Sequence, residues 1–157
     1  MEHGWDTELS AWRNAVSVND TWAYNEYLSR YPHGIHEKNA IDAMVKAIAH
    51  GEHGDLPSMD QVYYGSGSSS FISITNDTSY ELTLLYSGVQ SERIVIPPHG
   101  SSSVTLYNGT YNIAASVTAS DVRNYYGTEK LRGGSYSVSY YISSTIGGVR
   151  LPNIGGF

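Results

Sequence analysis

Hydrophobic positions in the first fifty residues recur with the spacing of a helix, and after Ser70 the period falls to two. In the opening stretch Leu9, Trp12 and Val16 share one stripe behind a capping Asp6, and Asn19-Asp20 interrupts it and supplies the next cap. Tyr24, Tyr27, Leu28 and Tyr31 then occupy i, i+3, i+4 and i+7 before Pro32-His33-Gly34 stops the run. A third helix is predicted from His36 to about Ala49, on Ile41, Met44, Val45 and Ile48, with Gly51 as its C-terminal cap.

Residues 51–70 are rich in Gly and Ser and read as a flexible linker. Beyond it, 71–75, 80–86, 93–96, 103–107, 111–117 and 135–142 alternate between turn residues, predicting six or seven short strands. One face carries Ile72, Ile74, Leu82, Leu84, Ile94, Ile96, Val104, Leu106, Ile113, Ala115, Val138, Tyr140 and Ile142, and the neighbouring positions are polar, the pattern of an antiparallel sheet with one wet face. Asn108-Gly109 between two alternating runs predicts a type I′ hairpin, whose central residues both need positive φ. The expected fold class is therefore α+β: a short helical unit followed by an all-antiparallel, immunoglobulin- or fibronectin-like β-sandwich of about seven strands. The expected division is helical module 1–50, linker 51–70, sandwich 71–144 and Gly-rich tail 145–157.

Charge sharpens the division. Residues 1–60 hold ten Asp and Glu against four Lys and Arg, and 61–157 hold five of each, so the whole net charge of -6 lies in the first part. That balance argues against a nucleic-acid partner, because neutralising a phosphate backbone takes clustered Lys and Arg. No apolar run is long enough for a membrane span, and the start lacks a basic region followed by an apolar stretch. These features predict a soluble chain. The absence of Cys removes disulfides, thiolate metal sites and a cysteine nucleophile, and leaves the compartment, bacterial envelope or cytoplasm, open.

Two resemblances follow from particular residues. Tyr24-x-x-Tyr27-Leu28-x-x-Tyr31-Pro32-x-Gly34-x-His36-x-x-x-Ala40 resembles a single unit of tetratricopeptide-type arrays in bacterial envelope proteins, and short helical modules beside protease-like domains. It implies a helical unit whose open face packs on the second domain, another chain or further sequence. The stretch from Ile94-x-Ile96-Pro97-Pro98-His99-Gly100 to Asn108-Gly109-x-Tyr111 is similar to small bacterial β-sandwich accessory domains.

Candidate chemistry is sparse. His33-x-x-His36 and His50-x-x-His53, beside Glu37, Glu52 and Asp55, are the residues a metal would use, but their spacing differs from the two-histidine helical motif, and no metal or cofactor is expected. Nucleophile-elbow, phosphate-loop and dinucleotide motifs are absent, and no carboxylate pair stands out, so an enzyme is not expected. Leu151-Pro152-Asn153-Ile154-Gly155 has Ile where a sortase signal has Thr, and the Gly-Gly pairs near residues 133 and 156 lack a ubiquitin-like context. The expected function is docking of a protein partner through large aromatics of the helical half, Trp12, Trp22 and Tyr31, with Trp5 in the same patch. The alternative is a carbohydrate-binding accessory domain using Tyr125 and Tyr126 beside Asn124, one ring of the pair pointing to the core and the other outward.

Overall fold

The computed structural model describes the backbone of residues 4–56, 58–145 and 148–150 and the side chains of 7–56 and 58–142. Three helices come first: α1 (Gly4–Val18), α2 (Thr21–Arg30) and α3 (Glu37–His50). Asp20 caps α2 as its position suggests, its carboxylate accepting from the Ala23 N–H at 2.8 Å. Gly51 ends α3 in an extended conformation, its N–H donating to the carbonyls of Ala47 and Ile48. The Asp6 cap, the side chain of Trp5 and the 151–157 motif lie outside the described residues.

Among the described residues, nine strands form two stacked sheets. The five-stranded sheet runs β1 (Gly54–Asp55), β8 (Tyr125–Leu131), β7 (Gly109–Val117), β4 (Leu82–Ser87), β5 (Ser91–Ile96). The four-stranded sheet runs β2 (Asp60–Tyr63), β9 (Gly134–Tyr141), β3 (Ser69–Asp77), β6 (Ser101–Tyr107). A separate pair, β10 (Ser143–Thr145) and β11 (Gly148–Arg150), falls within the stretch read as the end of the sandwich and its tail.

Several expectations are corrected. The sheets are not all antiparallel: β3 runs parallel to β9 from Ser70↔Gly134 to Asp77↔Tyr141, and β1 parallel to β8. The segment 51–70 contains β1 and β2, and Met59 between them reaches the inter-sheet core, because each short strand extends an existing sheet edge. Asn108-Gly109 is not a type I′ hairpin. Only Gly109 has positive φ, and the step carries the chain from one sheet to the other. Asn108 fixes that corner, its carboxamide oxygen accepting from Ser70 Oγ at 2.7 Å and its Nδ2 donating to the Gly67 carbonyl at 2.8 Å.

The alternating residues meet where the pattern puts them. Ile72, Ile74, Leu82, Leu84, Tyr86, Ile96, Leu106, Tyr111, Ile113, Val138 and Tyr140 are buried between the sheets. The outer face of the four-stranded sheet is hydroxyl-rich, with rows Ser137–Ser73–Ser103 and Ser139–Thr75–Ser101 across β9, β3 and β6. At the sandwich corner Asn76 is fully buried; its Nδ2 donates to the carbonyls of Tyr80, Ile96 and Pro97, and its oxygen accepts from Thr78 N–H and Oγ1.

The five-stranded sheet has no wet face over much of its outer side. Leu85 and Ala114 are register partners there, next to Tyr126, and this row forms the floor on which α3 packs. Ala15, Tyr24, Tyr27, Leu28, Ile41, Met44, Val45 and Ile48 complete one core shared by the helices and the sheet. Asp42 of α3 accepts from Ser87 Oγ and Ser91 Oγ, both at 2.7 Å, and from Lys38 Nζ, so the helix is tied to the β4–β5 hairpin. Burial alone would raise the Asp42 carboxyl pKa, but these donors outweigh it and hold it below its ordinary value.

Candidate functional site

Helix α2 buries Ala23, Tyr24, Tyr27 and Leu28, which leaves Trp22, Asn25 and Ser29, at i, i+3 and i+7, on an adjoining stripe. That stripe faces the uncovered end of the five-stranded sheet across a cleft of about 280 Å³. The sheet side supplies Thr83, Arg93, Ser116 and Thr118, with Glu81 just before β4 and Asn124 just before β8. Arg93 is half-buried, and its Nε and Nη2 both donate to Asn25 Oδ1, at 3.2 and 2.9 Å. Burial lowers the Arg93 pKa below its ordinary value, while the Glu81 charge acts in the opposite direction.

Trp22 stands at the lip of this cleft with 71% of its surface exposed. On its other side lies a groove of about 160 Å³ between α1 and α2, bordered by Ala15, Val18, Glu26 and Arg30. Val18 is 53% exposed, so indole and valine form a neighbouring apolar pair outside the core.

The other nominated residues are dispersed. Trp12 is half-buried, stacked on His36 at 4.5 Å between ring centroids and 5.3 Å from Tyr27. Tyr31 is half-buried, 5.7 Å from Tyr27, with the Arg30 guanidinium over its ring. Both rings pack against the helical core, whereas Trp22 projects from it. Tyr125 and Tyr126 do point to opposite sides, and that separates them: Tyr125 is 4% exposed in the inter-sheet core. Tyr126 is half-buried on the helix side, where it lines a second pocket of about 310 Å³ with Asp42, Lys46, His50, Ser87 and Asn112.

The histidines are spread as well. His33 lies 3.7 Å from Glu37, and His53 Nδ1 is 2.8 Å from the Gly54 carbonyl. Among the described residues no group of three or more His, Asp or Glu is arranged to hold a metal ion. No described helix is long and apolar enough to cross a membrane. Arg93 and Asn25 were not foreseen from the sequence; Arg93 stands at an ordinary outward strand position, and its partner Asn25 comes from α2, which α3 carries on the sheet.

Residues 37–143 match the model of a family described as a domain of unknown function, DUF6759. The chain belongs to this family. The DUF6759 match begins at α3 and runs through both sheets, so it includes the helix seated on Leu85 and Ala114 and stops short of α1 and α2. The cleft thus has one wall, the sheet, within the family span and the other, α2, before it. No curated protein matches the chain.

Proposed function

We propose that this chain is a non-catalytic interaction module that docks a partner protein, or a neighbouring domain of a longer polypeptide, through the outer stripe of α2. The observation carrying this reading is Trp22, a large aromatic held out of the core between two concavities, with Val18 beside it. Exposed aromatics in such settings commonly act as binding anchors. The reading keeps the tetratricopeptide-like helical unit, with its inner face spent on the sheet and its outer stripe left for a partner. It also keeps an immunoglobulin- or fibronectin-like sandwich, supported by the β4–β5 and β7–β8 hairpins in one sheet and the crossings of β6 and β9 to the other. Trp12 and Tyr31 become positioning residues within the aromatic cluster.

The test is recovery of partners from lysate of the source cells by the intact chain, by Trp22→Ala and by Tyr107→Ala, the last removing an exposed ring on β6. Proteins kept by the wild type and Tyr107→Ala but weakened about 30-fold or more with Trp22→Ala, at unchanged circular dichroism, support it. Equal recovery by the wild type and both variants defeats it.

A second reading, a carbohydrate-binding accessory domain, is favoured by the Tyr126 pocket, where an aromatic face lies beside Asp42, Asn112 and His50. Polysaccharide retention lost in Tyr126→Ala and kept in Trp22→Ala would transfer the function there.

A further inference from the structure

The cleft beside Trp22 has a chemistry that narrows what docks in it, and the inference rests on the helical-face reading above. Arg93 lines this space half-buried, which costs its guanidinium part of its hydration unless acceptors replace the water. Asn25 Oδ1 occupies the Nε/Nη2 edge. No other acceptor among the described residues bonds the Nη1/Nη2 end, and no described carboxylate forms an ion pair with it. A planar fork of N–H donors with one edge fixed and one free has the shape that a carboxylate completes with two parallel hydrogen bonds.

We propose that the α2 cleft is a peptide-carboxylate site, in which the free edge of Arg93 takes an acidic group of the docked segment while an apolar side chain next to it lies on Trp22. Charge selects the class of anion. Arg93 is the one cation among the cleft's lining residues and Glu81, also among them, offsets it, so a singly charged carboxylate leaves less uncompensated charge there than a doubly charged phosphate. Size agrees: about 280 Å³ equals roughly nine water volumes, enough for one side chain with some retained water. Thr83, Ser116, Thr118 and Ser29 supply hydroxyls for the remaining lone pairs of the carboxylate or its water. Because the chain carries a net charge of -6, an acidic segment gains no long-range steering, and recognition is confined to short range.

The experiment uses the full ¹⁵N-labelled chain, following the Arg93 Nε–H and Trp22 indole resonances during titration with four probes. Acetyl-Leu-Glu-amide carries a side-chain carboxylate, acetyl-Leu-Gln free acid a terminal one, acetyl-Leu-Gln-amide neither, and inorganic phosphate is a competing anion. The expected result is that at least one acidic peptide shifts both resonances with a Kd at least tenfold below that of the neutral peptide, and the tighter of the two acids identifies the source of the carboxylate. Asn25→Asp supplies an internal carboxylate to Arg93 and is expected to remove that preference with the fold intact, and Arg93→Gln is expected to do the same. Equal binding of neutral and acidic peptides, tighter binding of phosphate, absence of any shift, or a preference that survives Asn25→Asp overturns the site. If partner recovery still depends on Trp22 in that case, only the carboxylate assignment falls. If recovery is independent of Trp22, the docking reading falls, whatever the peptides do.

Discussion

Tyr86→Phe is expected to stabilise the protein. Tyr86 is fully buried between the sheets, and its hydroxyl is a buried polar atom with no hydrogen-bond partner. Burying a hydroxyl without a partner costs about 1–3 kcal/mol, because its bonds to water are lost and nothing replaces them. Phenylalanine fills the same space except for one oxygen, a void of roughly 15 Å³ that costs about 0.4 kcal/mol. The balance is a gain of about 1–2 kcal/mol, or a rise of about 3–6 °C in Tm for a chain of this size. Urea unfolding followed by circular dichroism measures it, with an unchanged m-value certifying that the transition is the same one.

An alkaline series tests the same group independently. Burial raises the Tyr86 pKa far above its ordinary 10.0, so the native state keeps its proton where the unfolded chain loses it. Its contribution is fully present below pH about 10 and declines as the pH rises beyond, and Tyr86→Phe removes that part of the slope. A loss of 1 kcal/mol or more in Tyr86→Phe at neutral pH would refute the reasoning, since it would mean that the hydroxyl bonds to an interior water.

Asn76→Asp is expected to cost about 3–5 kcal/mol, because a buried carboxylate would face the Tyr80, Ile96 and Pro97 carbonyls that now accept from Nδ2. Thermal melts measure it, with partial recovery as acid protonates the new group. Asp42→Asn is expected to flatten the acid limb of the stability profile. The wild-type carboxylate, held below its ordinary value near 3.8, contributes above that pH and loses its contribution as the pH falls below it; urea midpoints between pH about 5 and about 2 follow the change.

The helices were legible because their punctuation is local: Asp20 caps one, Gly51 closes another, and Tyr24, Tyr27 and Leu28 mark the buried stripe between. The third layer was written less openly. Leu85 and Ala114 break the alternation of their strands, and the adjacent apolar pairs Leu84-Leu85 and Ala114-Ala115 are the trace of a sheet buried on both faces. Strand β8 was hidden by Gly127 and Glu129, which take inward-side positions between Tyr125 and Leu131. Gly127 suits its place because a Cβ there would come within 2.9 Å of Leu56 Cβ. Glu129 accepts from the Met59 N–H at 2.8 Å, a tie between strand edges that no period reveals. Of the candidate site, Trp22 was readable as an aromatic, but its separation from Trp12 and Tyr31 depends on which side of α2 enters the core it shares with α1 and α3. Arg93 and Asn25 lie 68 positions apart, and nothing local joins them.

The parallel pairing of β3 with β9 bears on the order in which the molecule assembles. During synthesis β3 emerges early and soon finds β6 on one side, but its other neighbour is the last of the long strands. Until Gly134–Tyr141 arrives, Ile72 and Ile74 lack the cover of Val138 and Tyr140, and one backbone edge of β3 is open to other chains. Closure is a long-range event and therefore slow. The serines and threonines at alternate positions of β3 lower its apolar content during that interval, so the hydroxyl-rich outer face serves the nascent chain as well as the finished one.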